Sequence, residues 1–419
     1  MSRTRTTTVR DLRRSNRSRA LWELYLNGPL TRQEVGTAAG VSPATVSNLV
    51  GDLLDQGVVV EVGLEDSNGG RPRGLLEVNP EYGFVIGVDV GETAFLVELF
   101  DLGMRVRASH VSTTELARLD PADAVTHVLE GVEAVIAESG VAPERILGIG
   151  VGVPGLVEHG DDAIVHGQSV GWDAVPFGST LRAKLKFPLQ IDNGAKTLGQ
   201  AEKWFGAARG CDDAVIVLLG IGVGTSIISN GELYRGATSS AGEWGHTKVL
   251  VGGRDCRCGA SGCLEAYVGA GAVVARYDEL KRRRVPVNPN DLEQRVAAIV
   301  AVQGSDRSAA RVLEETATYL GNGIADLVNL FNPERVVVGG WLGQLLGDSL
   351  LPRVREVAAG QALRLPFSQV AILKAELGAD AVALGAATLP IANVLSAGAG
   401  HAPPATSRGR LLASGRAAG

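Results

Sequence analysis

Two stretches of this 419-residue chain share one pattern, and that pattern limits the possible folds more than any other feature. Residues 84–100 and 214–230 each contain a run typical of a strand, a glycine-rich tight turn and a second strand run. They begin about 130 residues apart. A unit repeated at that distance indicates two related lobes, each with a turn of the kind that binds phosphate. Because strand runs alternate with longer helical patterns, we predict an α/β body over residues 81–392.

A helix-turn-helix pattern precedes this body. Thr31 and Glu34 form a capping box, which predicts the start of a short helix. Gly40 ends that helix, and Ser42 followed by Pro43 is a typical start for the next one. The second helix has apolar residues at the spacing of a single buried face: Val46, Leu49, Val50, Leu53 and Leu54.

The outward face of this second helix presents Thr45, Ser47 and Asn48, short polar side chains that reach base edges or phosphates in a DNA major groove. An apolar ribbon follows, with Arg71 and Arg73 expected at a hairpin tip, where cations meet phosphates or the minor groove. These features predict a winged helix-turn-helix domain over residues 14–80 that binds operator DNA. The alternative is a winged helix that binds only protein.

Charge is unevenly distributed along the chain. Residues 1–20 carry seven arginines and one aspartate, although the formal net charge of the whole chain is −6. We predict a flexible basic arm over residues 1–13, which favours an anionic partner; a solubilising tail is the alternative. Residues 393–419 are rich in Ala, Gly, Ser, Pro and Arg, which predicts a disordered tail. No run has the length of a signal peptide core or a membrane span, so we expect a cytoplasmic protein with no membrane partner.

One histidine and three cysteines are close together in the second half of the body: His246, Cys256, Cys258 and Cys263. One imidazole nitrogen and three thiolates complete the tetrahedral shell that a structural zinc ion prefers. Such a shell leaves no open position, so we predict one structural zinc per chain and not a catalytic one. The alternative is a loop of unliganded thiols.

With these motifs the chain resembles the ROK family, named for repressors, open reading frames and kinases, over residues 14–392. The most specific match is a Glu-x-x-His motif followed by a Cys-x-Cys-Gly-x-x-Gly-Cys-x-Glu motif, which here begin at Glu243 and end at Glu265. The resemblance implies an actin/hexokinase-like fold of two lobes with the ligand in the cleft between them. A winged helix head is typical of the regulator branch, so the resemblance implies a sugar-responsive transcriptional regulator, a repressor of carbohydrate metabolism genes. It also implies a homodimer or a higher homo-oligomer.

The chain departs from the kinases of this family at three positions. Kinases carry an Asn-Asp-Ala-Asn motif whose aspartate is the general base, and Gly194 stands at that position here. Glycine has no group that accepts a proton. In the first phosphate turn Glu92 adds a carboxylate that repels phosphate, and in the second turn Ile221 replaces a threonine. We therefore predict that the body is not an enzyme; the alternative is an active ATP-dependent sugar kinase with an added DNA-binding domain.

The sugar-facing residues of the family are better preserved. By resemblance, Asn193, Glu243, His246 and Glu265 match positions that form hydrogen bonds with sugar hydroxyls. The alternatives are that Glu243 and Glu265 only brace the cysteine loop, or that cleft and metal serve a ligand-independent scaffold. Lys196 follows Gly194 closely, so we also hypothesise that the effector is a sugar phosphate or an oligosaccharide. If Lys196 pointed to solvent, it would have no such role.

Overall fold

The computed structural model of the chain describes residues 9–65, 72–113, 120–160, 162–282 and 291–399. Within these ranges the N-terminal head is a winged helix-turn-helix domain, as predicted. Its three-stranded antiparallel sheet has the order β1-β3-β2. The elements of the head are α1 (Val9–Asn27), β1 (Leu30–Thr31), α2 (Arg32–Ala39), α3 (Pro43–Asp55), β2 (Val59–Glu65) and β3 (Arg73–Val78).

Local hydrogen bonds explain where the helices of the head begin. The backbone N–H of Glu34 donates to Thr31 Oγ1 at 3.3 Å, and the Thr31 N–H donates to Glu34 Oε2 at 2.7 Å. This is the predicted capping box, which satisfies two N–H groups at the start of α2. Gly40 ends α2 in the left-handed region at φ 66°, and Ser42 caps α3 through the N–H of Thr45.

The first helix starts earlier than the sequence indicated. We expected residues 1–13 to form a flexible arm, but α1 begins at Val9, so residues 9–13 are helical and residues 1–8 lie outside the described part. The guanidinium of Arg13 pairs with Asp52 at 2.5 Å, and Arg17 donates to Gln56 Oε1. Asp52 lies in α3, and Gln56 directly follows it. These contacts stabilise turns of α1 that precede the apolar pattern from which we predicted its start.

The first lobe of the body is built on a five-stranded sheet of order β11-β7-β4-β5-β6. Its strands are β4 (Phe84–Val90), β5 (Ala94–Asp101), β6 (Val106–Thr113), β7 (Ile146–Val153), β8 (Leu156–Glu158), β9 (Ile164–Gly167), β10 (Trp172–Val175) and β11 (Leu189–Asn193). Strands β8, β9 and β10 form a separate small sheet. The helices are α4 (Pro121–Ser139), which packs on β5 and β6, and α5 (Phe177–Lys184).

The second lobe repeats this arrangement with the order β14-β13-β12-β15-β16. Its strands are β12 (Ala214–Leu219), β13 (Val223–Ser229), β14 (Glu232–Leu233), β15 (Arg335–Gly339) and β16 (Ala371–Lys374). Its helices are α6 (Gly194–Phe205), α7 (Glu265–Val268), α8 (Ala270–Leu280), α9 (Leu292–Ala301), α10 (Arg307–Phe331), α11 (Gly340–Gln361) and α12 (Arg364–Gln369). The last helix, α13 (Ala381–Ser396), returns to the first lobe.

The two sheets confirm the predicted internal repeat. The hairpin of β4 and β5 matches the hairpin of β12 and β13, and in each sheet a parallel strand adjoins the first strand of the hairpin. Each glycine-rich turn therefore lies at the same place in its lobe. Both turns lie at the carboxyl end of the first strand of their hairpin, which is the end of a strand where open α/β sheets bind ligands.

Helices α6 and α13 join the lobes. Helix α6 packs on β12 and β13 of the second lobe, α13 packs on β4 and β7 of the first, and the two helices pack on each other. The backbones approach closely: a Cβ at Gly385 of α13 would lie 1.9 Å from the carbonyl oxygen of Thr197 on α6. A Cβ at Gly150 of β7 would lie 1.8 Å from the carbonyl oxygen of Ala386. Only glycine permits this spacing.

The head is attached to the body by an aromatic cluster that we call the aromatic joint: Trp22 and Tyr25 of α1 with Trp204 and Phe205 of α6. The rings of Trp22 and Trp204 meet edge to face with centroids 5.3 Å apart, and Tyr25 lies 5.8 Å from Trp204. Such contacts add to the burial of apolar area. The hydrophobic core of the head is therefore continuous with that of α13 and the first sheet.

The end of the chain is ordered further than expected. We predicted disorder from residue 393, but α13 continues to Ser396, and Leu395 and Ala399 are buried. Arg17 of the head donates to the carbonyl oxygen of Gly398, so head contacts order this stretch. Residues 400–419 lie outside the described part. Among the described residues, no helix is long and apolar enough to cross a membrane.

The close contact between β7 and α13 leads to a first prediction. Gly150→Ala should lower the thermal unfolding midpoint of the body, at a cost of about 3 kcal/mol, because the added methyl group overlaps backbone that cannot move independently. Gly271→Ala on α8 is the control, since no atom lies within 4 Å of its added Cβ, and it should leave the midpoint unchanged or raise it slightly. Equal midpoints for the two variants would contradict the packing described.

Candidate DNA interface and ligand cleft

The predicted DNA-contacting face of the head lies on α3. Thr45, Ser47 and Asn48 are all exposed, while the adjacent Val46 and Leu49 are buried in the head. The Thr45 hydroxyl shares a hydrogen bond of 2.9 Å with the Ser42 hydroxyl, which fixes the start of the helix. This face is therefore free of packing constraints and stays a candidate for base contacts.

The two arginines expected at the hairpin tip have different positions. Arg73 is the first residue of β3, pairs in register with Glu65, and donates to Gln33 Oε1 at 3.1 Å. It is exposed beside α2 and not in the turn itself. Arg71 lies outside the described residues, so its position stays a prediction.

The four predicted metal ligands converge. The ligand atoms of His246, Cys256, Cys258 and Cys263 all lie within 4.8 Å of one another. Cys258 Sγ and Cys263 Sγ are 3.8 Å apart, and Cys256 Sγ is 3.7 Å from His246 Nδ1. Ligands bound tetrahedrally at zinc distances stand about 3.5–3.8 Å apart, so the spacing fits one such ion.

The surroundings of the cluster also suit a metal. Three thiolates and one neutral imidazole around a divalent cation carry one net negative charge. Lys248 Nζ lies 2.8 Å from Cys263 Sγ and offsets that charge. Since Nδ1 of His246 faces the cysteines, its Nε2 remains for another partner.

Two of the candidate sugar-binding residues are held by backbone groups. Asn193 caps α6: its Oδ1 accepts the N–H groups of Ala195 and Lys196, and its Nδ2 donates to the Gly155 carbonyl oxygen at 2.6 Å. One N–H of the amide remains available. Glu265 Oε2 accepts the N–H of Val223 at 3.0 Å, so this carboxylate braces the second glycine-rich turn.

Glu243 and Lys196 lie close to each other in the same cleft. Desolvation raises the pKa of Glu243, and the charge of Lys196 opposes that shift. Lys196 is 2% exposed, and its Nζ donates to the carbonyl oxygen of Ser239. Lys196 does not point to solvent, so that alternative is wrong: the first turn of α6 directs it into the protein.

Next to the candidate sugar-binding residue Asn193, Asp192 forms an ionic network with Arg235 and His159. Asp192 is 1% exposed, and Arg235 donates to its Oδ2 at 2.6 Å while His159 lies 3.6 Å from its Oδ1. Burial raises the pKa of Asp192, but the hydrogen bonds from His159 and Arg235 outweigh it, and the pKa is about 2. Asp192 is therefore ionised at neutral pH and neutralised by Arg235.

The two glycine-rich turns are joined by an ion pair that the sequence did not reveal. Arg257, between two of the cysteines, pairs with Glu92 of the first turn at 2.5 and 3.2 Å, and its guanidinium lies 3.6 Å from Glu265. A Cβ at Gly222 in the second turn would meet the Glu92 and Glu265 carboxylates at 3.4 Å. Glu92 and Arg257 thus occupy the space between the turns.

Trp341 is a second residue missed from the sequence. It follows Gly340, whose φ of 76° turns the chain at the start of α11, and its indole nitrogen would lie 3.2 Å from a Cβ at Gly220. An indole therefore covers the second turn. Ile221 of that turn packs against the apolar core of the second lobe.

Comparison with known proteins agrees with this architecture. Residues 85–393 match the ROK family, and residues 10–71 match the MarR family. The first of these matches covers well over half of the chain.

The chain belongs to the ROK family.

Its relatives within this family include repressors. The xylose repressor of Caldicellulosiruptor bescii is 31% identical over 391 residues, covering 92% of this chain and 97% of the relative. The N-acetylglucosamine repressor of Shigella flexneri is 30% identical over 360 residues, covering 84% and 86%. Both matches are longer than the body alone. The chain is thus a DNA-binding transcriptional regulator, as predicted.

Solved structures show the same fold. A ROK family transcriptional regulator, a homologue of the E. coli MLC protein, superposes with a TM-score of 0.74 at 23% identity, covering 92% of this chain and 97% of the other. The ROK glucokinase of Streptomyces griseus, solved with glucose and AMPPNP, superposes with a TM-score of 0.62 at 26% identity, covering 73% and 99%. The body is therefore hexokinase-like, and the ROK fold alone does not separate kinase from regulator.

Proposed function

We propose that the chain is a sugar-responsive repressor of carbohydrate metabolism genes, whose ROK body binds a sugar without phosphorylating it. One helix supports this most directly. Helix α6 begins at the candidate sugar-binding residue Asn193 and ends, 12 residues later, at Trp204 and Phe205 of the aromatic joint. A helix of that length spans about 18 Å as a rigid rod. Movement at the cleft therefore reaches the head.

The proposed sugar site consists of Asn193, Glu243, His246 and Glu265. Glu243 and the remaining N–H of Asn193 would bind vicinal hydroxyls, and His246 Nε2 would bind another while Nδ1 binds the metal. Glu265 would hold the second turn in place for the same ligand.

The charge around Lys196 favours an uncharged sugar over a sugar phosphate. Lys196 lies near the carboxylates of Asp192 and Glu243. Arg235 neutralises Asp192, and Glu243 offsets the charge of Lys196. The two relatives described above are named for xylose and N-acetylglucosamine, both uncharged. We therefore revise the hypothesis of a phosphorylated effector in the cleft and propose a neutral pentose or hexose derivative.

On the DNA side, the proposed contacts are Thr45, Ser47 and Asn48 in a major groove, with Arg71 and Arg73 on phosphates or the minor groove. The operator-binding form would be a homodimer, because helix-turn-helix proteins read half-sites separated by a fixed helical repeat. A sugar-dependent change in the spacing of two heads would weaken binding. A coupling of about 1–3 kcal/mol corresponds to a change of roughly 5- to 150-fold in affinity.

The linkage between sugar and DNA is the central prediction. Bound DNA fragments are first identified by genome-wide mapping, and affinity for one of them is measured by fluorescence anisotropy across a panel of sugars. One sugar should weaken DNA binding by roughly 5- to 150-fold. Glu243→Gln should keep the basal DNA affinity and lose the response, whereas Asn48→Ala should weaken DNA binding with or without sugar. Affinity that no sugar changes would favour the scaffold alternative.

We also propose that the body lacks kinase activity. Gly194 supplies no base, Glu92 and Arg257 fill the space between the phosphate turns, and Trp341 covers the second turn. The absence of a base at Gly194 is unfavourable for proton removal from the sugar, and the other two features are unfavourable for ATP binding.

A coupled assay of ADP release over the same sugar panel tests this proposal. We expect no sugar-dependent turnover from the natural chain. Gly194→Asp should also be inactive, because the blocked phosphate turns remain. That variant should keep its thermal stability, since a Cβ at Gly194 meets its nearest atoms at an ordinary 3.7 Å. Turnover above background by the natural chain would establish the kinase alternative.

For the cysteine cluster we propose one structural zinc ion per chain, held by His246, Cys256, Cys258 and Cys263. Zinc would crosslink the loop after β14 to the start of α7, and so position Glu243 and Glu265. The ligand spacing described above supports this assignment.

Metal analysis of the purified chain should give one zinc per chain. Cys258→Ala should lose the metal and unfold at a lower temperature, because metal-binding free energy contributes to folding. Cys211→Ala is the matched control: Cys211 is buried in a separate apolar cluster and its loss should leave the zinc content unchanged. Full zinc content in Cys258→Ala would refute the ligand set.

A further inference from the structure

A cavity of about 990 Å³ lies between the head and the body; Asp192 lines it, and none of the four candidate sugar-binding residues does. We call it the junction cavity. Helix α1 of the head contributes Arg19 and Trp22 to its wall, and the end of α6 contributes Lys203 and Trp204. Its volume is typical of a small-molecule site, so it admits a molecule the size of a sugar phosphate and not a DNA duplex.

Basic side chains outnumber acidic ones in the wall of the junction cavity. Five are basic and three are acidic: Arg19, Arg182, Lys203, Arg209 and Arg235, with Glu23, Asp192 and Glu232. Arg235 and Asp192 neutralise each other. The remaining cations outnumber the remaining carboxylates, and a concave wall of low dielectric concentrates their field.

Among the described residues, three of these cations donate to neutral oxygens. Arg19 donates to Asn16 Oδ1 at 2.6 Å, Arg209 to the carbonyl oxygen of Leu26 at 2.7 Å, and Lys203 to a backbone carbonyl oxygen. None of the ion pairs found in the described ranges includes them. A neutral acceptor leaves the positive charge uncompensated, and a phosphate group would compensate it with charge-assisted hydrogen bonds.

The wall of the junction cavity also contains aromatic side chains. Trp22 and Trp204 offer apolar surface against which a sugar ring packs.

We propose that the junction cavity binds a small phosphate-bearing anion, separate from the ligand of the inter-lobe cleft. The phosphate would contact Arg19 on the head and Lys203 and Arg209 on the body. Because such a ligand contacts both parts, it binds the docked arrangement of the head preferentially and shifts the population towards it. The site needs neither DNA nor a sugar in the cleft, so it goes beyond the proposed function.

Isothermal titration calorimetry tests the site directly, on the full metal-bound chain in the absence of DNA. Chloride is adjusted so that the ionic strength stays constant. The probes are inorganic phosphate and glucose 6-phosphate, with glucose as the uncharged control. Both phosphates should bind. Tighter binding of glucose 6-phosphate by tenfold or more assigns the site to a phosphorylated sugar, and equal affinities assign it to free phosphate.

Three variants locate the binding. Lys203→Gln should weaken phosphate binding by at least tenfold. Lys184→Gln, an exposed lysine of α5 outside the cavity wall, removes the same charge and should leave the affinity unchanged. Lys196→Gln, in the cleft, should also leave it unchanged. Loss of binding in Lys196→Gln but not in Lys203→Gln, or no binding of either phosphate, would overturn the proposal while leaving the sugar and DNA experiment unaffected.

Discussion

The close packing of α6 on α13 is the contact on which the rest of the structure depends. Gly385 brings the backbone of α13 against the Thr197 carbonyl of α6, and each helix covers the sheet of one lobe. Interiors packed at this density transmit displacements instead of absorbing them. The same α6 carries Asn193 at one end and the aromatic joint at the other. Lobe position and head position are therefore linked by a single rigid element.

A second connection joins the lobes at the opposite side of the cleft. In the kinases of this family the two glycine-rich turns serve phosphate, whereas here Glu92 and Arg257 pair between them. The pair places a carboxylate and a guanidinium of the two lobes in direct contact between the turns. Under the proposed function, this contact occupies the place where a kinase would bind a nucleotide phosphate.

Local signals explain why much of this architecture was predictable from the sequence. The capping box at Thr31, the apolar face of α3 and the spacing of Cys256, Cys258 and Cys263 each depend on residues near in sequence. The pairing of Glu92 with Arg257 joins residues 165 positions apart, and no local pattern encodes it. The burial of Lys196 likewise depends on a distant residue, because its Nζ donates to the carbonyl oxygen of Ser239 in the loop after β14. Boundaries were missed at Val9 and Ser396 because head contacts, and not local composition, set them.

The strength of the Glu92–Arg257 pair bears on how a regulator of this kind works. Arg257 is 37% exposed and Glu92 16%, so water screens the pair and its net contribution is about 1 kcal/mol or less. A strong lock would hold the lobes closed whether or not a ligand was present. A weak one adds little to the free energy needed to separate the lobes, so the differential affinity of a ligand for one arrangement can exceed it. The pair between the turns is thus compatible with the sugar-dependent movement of the lobes that we propose.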